Sequence, residues 1–116
     1  MEIRRKIQKG DTYEFRIGDC LYIGIAFHGD LTGYDSASIM GDIVQVTDKA
    51  VKFLPMHAKE KHAVWLPKSA LDVSEVDYDT IDKYQFIAAK IKRWFRFNDF
   101  QKWVFERYHS FSGMTV

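Results

Sequence analysis

Short apolar runs bounded by turn-forming residues divide the first three quarters of the chain. Residues 20–27 form such a run, rich in β-branched and aromatic residues, with a Gly-Asp pair before it and another shortly after it. This pattern predicts a buried strand over 20–27. Residues 13–17, of mixed polarity, predict a weaker strand, and the polar composition of 32–38 predicts a loop.

Strand character resumes at residue 40 and continues to residue 47. Within this segment we expect Met40, Val44 and Val46 to share one face, because side chains alternate along a strand. Residues 47–49 (Thr-Asp-Lys) predict a tight turn, since an Asp side chain can satisfy local backbone donors.

The chain then predicts two further strands. Residues 50–54 form the return strand, with Val51 and Phe53 on the same face. A polar tip at 57–61 joins it to a strand at 62–66. Three short strands joined by tight polar turns make a meander, which is typical of small barrels or sandwiches.

The apolar pattern changes in the last quarter of the chain. Residues 84–91 suit either a buried strand or a helix, because periodicity does not decide a short apolar run. From residue 92 to residue 111 the spacing is helical, and Asn98 followed by Gln101 resembles a capping box. A break near Phe97, with a second helix from Asp99, therefore fits as well. The residues expected on the apolar arc are Trp94, Phe97, Phe100, Val104, Tyr108 and Phe111.

These elements predict one domain over 1–116, β-rich over 10–91 and helical over 92–111. The expected fold class is α+β. We expect a small antiparallel β-barrel or a strongly bent sheet of about 5–6 strands, with an aromatic C-terminal helix.

Two of the predicted strands resemble a known unit. Residues 46–53 (Val-Thr-Asp-Lys-Ala-Val-Lys-Phe) and 63–71 (Ala-Val-Trp-Leu-Pro-Lys-Ser-Ala-Leu) are similar to a strand–turn–strand unit in small, mostly uncharacterised phage and plasmid proteins. Those proteins look like SH3-like or OB-like small barrels. The resemblance implies that fold, a mobile-element origin, and a strand over 84–91. This chain departs from the pattern at 92–94, which is Lys-Arg-Trp where the family pattern has Pro-Glu-Trp.

The net charge of +1 hides a strong asymmetry along the chain. Residues 1–9 carry four bases against one acid (+3), and residues 90–107 carry six bases against two acids (+4). Residues 72–82 carry five acids and no base (−5), and we expect this segment to be a solvated loop. A net charge near zero argues against a dedicated nucleic-acid binder, since such domains are usually strongly basic.

Cysteine usage and the N-terminus favour a cytoplasmic protein. The single cysteine, Cys20, cannot form an internal disulfide, and no apolar run follows the charged N-terminus. No window approaches the about 18 uninterrupted apolar residues of a membrane span. The expected location is the cytoplasm, that of the host cell if the protein is viral.

No motif in the sequence points to catalysis or to a cofactor. Cys20 opens an apolar run, as a buried structural cysteine does. His57 and His62 flank a basic tip but lack the close-spaced ligand pairs of metal sites. Phosphate-binding glycine motifs are absent. We therefore expect a protein that is not an enzyme, with no catalytic residue, no metal and no cofactor.

Protein binding is the function that the C-terminal aromatics favour. On the predicted helix, Phe95 and Trp103 point away from the apolar arc, and aromatics and arginines are enriched at interface hot spots. The candidate contact patch is Phe95, Arg96, Trp103 and Arg107. The expected partner is a host or viral protein, and the expected role is inhibition of a host defence complex (CRISPR-type) or a nucleic-acid-processing complex. A homodimer seam through Phe95 and Trp103, or a structural role in a virion, stays open.

A small β-barrel that binds single-stranded DNA or RNA is the alternative. Such proteins combine bases for the phosphates with aromatic faces for stacking. The residues expected to line a nucleic-acid groove are Lys52, Trp65, Lys68, Lys90, Lys92 and Arg93.

Overall fold

Residues 2–6, 14–25, 36–79 and 84–112 are described by a computed structural model. This part of the chain contains strands, one α-helix and two 3₁₀ turns, at Glu60–His62 and Lys68–Ala70. The elements are β1 (Glu2–Lys6), β2 (Cys20–Gly24), β3 (Ser36–Val46), β4 (Ala50–Pro55), β5 (Val64–Pro67), β6 (Leu71–Asp79), β7 (Gln85–Ile91), α1 (Asp99–Tyr108) and β8 (Ser110–Ser112).

The strands form one mixed sheet in the order β1-β6-β7-β2-β3-β4-β5, and β8 pairs with the first residues of β3. The predicted α+β class is confirmed. Neighbouring strands are antiparallel except β2 and β7, which run parallel with Cys20 opposite Phe86. The predicted all-antiparallel pairing is wrong at this one pair. The chain from β3 to β6 supplies the long crossover that parallel strands require.

The connection from β5 to β6 requires the sheet to bend. Five strand positions separate these two strands in the sheet order, which is about 24 Å in a flat sheet. One 3₁₀ turn joins Pro67 to Leu71, and four residue steps span at most about 14 Å. The strongly bent sheet is the predicted alternative that the structure supports. In the described residues β1 and β5 pair on one side only, so the sheet does not close into a barrel.

The predicted β3–β4–β5 meander is confirmed. Its first turn is closed by the Thr47 N–H, which donates to Ala50 O at 2.9 Å, and by the Ala50 N–H, which donates to Thr47 Oγ1 at 3.1 Å. Val51 and Phe53 are fully buried on one face of β4, as predicted.

The face predicted for Met40, Val44 and Val46 holds for the first two residues and is wrong for Val46. Ile39 and Ile43 are fully buried, whereas Val44 is 38% exposed and Met40 is only half-buried. A bulge after Ile43 shifts the register against β4, and this returns Val46 to the core side. A strict alternation counted from Met40 therefore starts on the outer face of the strand.

The structure decides between strand and helix for residues 84–91 and fixes where the C-terminal helix begins. Gln85–Ile91 is a strand, as the resemblance implied. The helix begins at Asp99 and not at residue 92, and residues 92–98 contain a turn. The predicted capping box is present: the Gln101 N–H donates to Asn98 Oδ1 at 2.7 Å, and the Asn98 N–H donates to Gln101 Oε1 at 2.9 Å.

The later helix start changes which side chains face the core. The buried face of α1 consists of Gln101, Val104 and Phe105, while Phe100 is 45% exposed. The predicted arc holds at Phe97 and Val104, which are buried, but is wrong at Trp94, because it carried the helical repeat back into the preceding turn. Phe111, at the other end of that arc, belongs to β8.

Helix α1 packs on the concave side of the meander. The Phe105 ring stacks on Phe53 with centroids 6.3 Å apart and lies 4.8 Å from the Phe97 ring. The Gln101 side chain also donates through Nε2 to Trp65 O at 2.7 Å. Because β5 is an edge strand, this hydrogen bond satisfies a carbonyl on its open side. The buried apolar residues are Phe15, Leu21, Ile23, Ile25, Ala37, Ile39, Ile43, Val51, Phe53, Val64, Leu66, Ala70, Leu71, Val73, Val76, Ile87, Ala89, Ile91, Phe97, Val104 and Phe105.

The acidic segment is a strand and not the predicted solvated loop. Leu71–Asp79 pairs with β7 on one side and with β1 on the other, and Asp82 lies outside the described residues. The register places Arg4 opposite Asp77 and Lys6 opposite Glu75. The basic start of the chain and its acidic segment are therefore neighbours in the sheet.

A buried carboxylate joins the beginnings of β2 and β7. Asp19 is 2% exposed and accepts hydrogen bonds from the Arg16 N–H (2.8 Å), the Gln85 N–H (3.0 Å) and Gln85 Nε2 (2.9 Å). The Arg16 guanidinium lies 3.7 Å from the same carboxylate. Residues 14–19 contain a turn where a weak strand was predicted over 13–17, with residue 13 outside the described residues. Asp19 therefore fixes both this turn and the parallel pair.

We predict that Asp19→Ala lowers the free energy of unfolding by about 2–4 kcal/mol, because it removes a buried acceptor and leaves three part-buried donors without it. Urea unfolding followed by tryptophan fluorescence measures this. Asp72→Asn removes an exposed carboxylate and is the control, with an expected change within about 0.5 kcal/mol. Equal effects of the two substitutions would contradict the role given to Asp19.

Gly41 lies where β3 passes close to the end of β4. A Cβ on Gly41 would sit 2.1 Å from Leu54 O, whereas a Cβ on Gly24 would meet the Lys90 side chain at an ordinary 3.5 Å. We predict that Gly41→Ala costs about 2–4 kcal/mol of stability, since the clash is with backbone. Gly24→Ala should be tolerated. Similar melting temperatures for the two variants would show that β3 does not approach β4 this closely.

Candidate functional site

The exposed side of α1 carries two aromatic rings that face outward together. Phe100 and Trp103 are 45% and 44% exposed, and their rings are stacked with centroids 6.4 Å apart and planes 20° apart. Positions three apart on a helix are neighbours on its surface. Burial of Gln101, Val104 and Phe105 on the inner side therefore turns these two rings outward.

His62 reaches this surface from the 3₁₀ turn before β5. Its ring lies edge-on to Trp103 with centroids 4.8 Å apart, and 5.6 Å from the Tyr108 ring. A hydrogen bond also links His62 Nδ1 to the Tyr108 hydroxyl. The turn and the helix are thus held together by contacts among exposed or half-buried side chains.

Arg107 completes the group. Its guanidinium carbon lies 5.6 Å from the centroids of both the Trp103 and the Tyr108 rings, within the range of a cation–π contact. Among the described residues, no carboxylate lies within ion-pair distance of it. We call His62, Phe100, Trp103, Arg107 and Tyr108 the aromatic–arginine cluster.

The surroundings of His62 favour its neutral form. Partial desolvation lowers the pKa of His62 below its usual 6.5, and the nearby cations Lys61, Arg107 and Lys59 lower it further. A positive charge is disfavoured where other cations already lie close. Desolvation and three neighbouring cations therefore both disfavour the charged imidazole.

The predicted contact patch is divided by the structure. Trp103 and Arg107 lie together, as predicted. Phe95 does not point outward: it is half-buried against the core, with its ring 5.3 Å from that of Phe97. Arg96 lies in the turn before α1, where its Nη1 donates to Arg93 O at 2.8 Å. The predicted placement of both residues on the helix is wrong because the helix begins after them.

Sequence reasoning missed three members of the cluster. Phe100 and Tyr108 were assigned to the core stripe, and His62 was considered only as a candidate metal ligand. The signal for Phe100 was available, since a helix counted from the Asn98 capping box places Phe100, Trp103 and Arg107 at three- and four-residue spacing. His62 had no such local signal, because its contact with Trp103 joins distant parts of the chain.

The residues predicted to line a nucleic-acid groove fall into separate groups. Lys52 lies opposite Trp65 across β4 and β5, with its Nζ 5.8 Å from the Trp65 ring. Lys68 lines an open cleft of about 500 Å³ that also contains the carboxylates Glu14 and Asp48. The aromatic face of Trp65 and one base are therefore in contact, while Lys68 is beside opposing charge.

The other three bases lie at the end of β7 and just after it, beside the 3₁₀ turn that contains Lys68. Lys90 in β7 lies opposite Gly24 in β2, which in turn lies opposite Ser38 in β3. Lys52 in β4 lies opposite Gln45 in β3. Ser38 and Gln45 are separated by about 24 Å along β3. Lys92 and Arg93 follow Lys90 at the end of β7. Lys52 and Lys90 are thus far apart along β3, but the Lys92 N–H donates to Ala70 O at 2.9 Å, so the bend brings the end of β7 close to the turn that contains Lys68.

Cys20 is poorly suited to nucleophilic chemistry. Burial raises the pKa of the Cys20 thiol to about 11, and the carboxylates of Asp42 and Asp19 add to this effect. Near neutral pH the thiolate, which is the reactive form, is then a very small fraction. Within the described residues, no group of three or more His, Cys, Asp or Glu side chains is placed to hold a metal ion.

The comparisons with known proteins returned no match: no protein-family model, no curated protein and no solved structure matches the chain. None of the described helices has the length and apolar character needed to cross a membrane.

We predict that the pKa of His62, measured by NMR titration, lies below 6.5 and rises in Arg107→Ala, because one neighbouring cation is removed. Arg93→Ala is the matched control and should leave it unchanged. Since the folded-state pKa is the lower one, the unfolded chain binds more protons as the pH falls through 6.5. The contribution of His62 to stability is therefore present above pH 6.5 and is lost below it. A pKa of 6.5 or higher would contradict the described surroundings of His62.

Proposed function

We propose that this chain is a non-enzymatic binding protein that acts by protein–protein contact through the aromatic–arginine cluster. The observation that carries the proposal is the combination of exposed aromatic rings with an arginine that has no carboxylate partner in the described residues. Trp, Tyr and Arg dominate the binding energy of protein interfaces.

The packing of the cluster favours a role in contact. Each ring rests against another group: Phe100 on Trp103, Trp103 on His62, and Arg107 over Trp103 and Tyr108. Side chains that are already held in place lose less conformational entropy on binding. Such a surface can therefore bind without first becoming ordered.

The more specific part of the proposal rests on the resemblance of residues 46–53 and 63–71 to phage and plasmid proteins. We propose that the chain is of mobile-element origin, acts in the cytoplasm of a host cell, and inhibits a host defence complex (CRISPR-type) or a nucleic-acid-processing complex. On the same resemblance we propose that the bent sheet is related to SH3-like or OB-like small barrels.

Binding of single-stranded DNA or RNA is the second candidate, favoured by one observation. Lys52 and the 39%-exposed Trp65 lie side by side on the outer face of the sheet, which is the pairing of base and aromatic that such proteins use. Of the predicted bases, Lys52 is the one that contacts an aromatic ring within the described residues, and Lys68 shares a cleft with Glu14 and Asp48, so the protein-contact proposal is preferred.

We predict that the immobilised full chain captures a protein from a bacterial host lysate and that Trp103→Ala/Arg107→Ala abolishes this capture. The expected melting temperature of the double variant is within about 5 °C of the wild type, because both side chains are exposed. Treating the lysate with nuclease excludes proteins that are captured indirectly through nucleic acid.

The matched control is Arg93→Ala/Trp94→Ala, which removes an exposed arginine and a 60%-exposed tryptophan outside the cluster. It should retain full capture. Capture that is equal for both double variants would contradict the proposal. Oligonucleotide binding that weakens steeply between about 50 and 200 mM salt and is lost in Lys52→Ala/Trp65→Ala would favour the second candidate instead.

A further inference from the structure

Arg107 keeps its hydrogen-bonding edge available. A guanidinium has five N–H donors in one plane. The guanidinium of Arg107 lies over the Trp103 and Tyr108 rings, and no hydrogen bond or ion pair engages it within the described residues. A guanidinium that packs on two rings can form two parallel hydrogen bonds with a carboxylate or phosphate group.

An apolar surface adjoins this arginine. The stacked rings of Phe100 and Trp103 lie on the same side of α1, and Arg107 is one helical turn beyond Trp103. Two adjacent exposed aromatic rings offer a contact site for another apolar group. The cluster therefore offers one place for an anion and, beside it, one place for an apolar side chain.

The charges around the cluster decide which anion fits. Residues 59–62 and 98–108 together carry four bases and three acids, a net charge of +1. Glu60, Asp99 and Glu106 would repel the successive phosphates of a nucleic acid. A single carboxylate needs only Arg107, and the cations Lys59 and Lys61 on the neighbouring turn add to its attraction.

We propose that the aromatic–arginine cluster binds a protein segment in which a carboxylate side chain lies next to an apolar one. Arg107 binds the carboxylate through its in-plane N–H groups, and Phe100 and Trp103 cover the apolar side chain. This inference rests on the proposed function and specifies the chemistry of the partner. The cations Lys61, Arg107 and Lys59, which add to desolvation in lowering the pKa of His62, lie close enough to this surface to attract a carboxylate.

The test uses the full chain and a synthetic peptide, acetyl-Leu-Glu-Leu-Glu-Leu-amide, with a Gln-for-Glu version as its uncharged match. NMR titration follows the Trp103 indole N–H and the Arg107 Nε–H. We expect saturable shifts at both groups, and binding of the Gln version about three- to fivefold weaker, since the lost pair is a partly exposed arginine–carboxylate interaction.

Two variants separate the parts of the site. Arg107→Lys keeps the charge but loses the planar fork, and it should reduce the preference for Glu over Gln to less than about twofold. Trp103→Leu should weaken both peptides by a similar factor, because it removes aromatic surface only. Arg93→Lys is the control and should change neither peptide.

Each outcome supports or overturns the inference. Equal affinity for the Glu and Gln peptides, or no shift with millimolar peptide, would overturn it. Tighter binding of a single-stranded oligo-dT at Trp103 and Arg107 than of the Glu peptide would overturn it in favour of nucleic acid. If capture from lysate depends on Trp103 while the two peptides bind equally, the proposed function stands and this inference alone fails.

Discussion

The short connection between β5 and β6 imposes the bend on which the rest of the structure depends. Because Pro67 and Leu71 must meet through one 3₁₀ turn, strands at distant positions in the sheet order are brought close together. Backbone hydrogen bonds from Lys68 to Lys49 O and from Lys92 to Ala70 O hold this turn to both of its neighbours. The bend gives the sheet a concave side, and the apolar side chains of the strands and of α1 fill it. Buried Asp19 fixes the parallel pair that completes the sheet.

The candidate site follows from this packing. Phe105 stacks on Phe53, and the Gln101 side chain both caps the helix and satisfies a carbonyl of edge strand β5. Because the side of α1 with Gln101 and Phe105 is buried against the sheet, Trp103 and Arg107 face outward. They meet His62, which the adjoining 3₁₀ turn presents at the same surface. The packing of the helix on the bent sheet therefore forms the contact surface in the free protein.

Features determined by neighbouring residues were predictable from the sequence. The turn at 47–49, the buried pair Val51 and Phe53, and the Asn98–Gln101 capping box depend only on local chemistry, and all three were confirmed. Features determined by distant parts of the chain were not: the parallel β2–β7 pair, the pairing of basic β1 with acidic β6, and the bulge in β3. The residues of the candidate site also differ in whether local sequence or the tertiary fold places them. Trp103 and Arg107 share a helix face and were predicted, Phe95 and Arg96 were misplaced because the helix starts later, and His62 is joined to the cluster only by the tertiary fold.

The central claim is that the fold holds the aromatic–arginine cluster in place before any partner binds. The most direct measurement is ¹⁵N relaxation of the Trp103 indole N–H in the free protein, with the Trp94 indole as an internal comparison. Contacts with Phe100, His62 and Arg107 predict an order parameter for Trp103 of about 0.8, close to that of rigid backbone, and a lower value for Trp94. A Trp103 value below about 0.6, or one no higher than that of Trp94, would show that the surface is not preformed and would contradict the account.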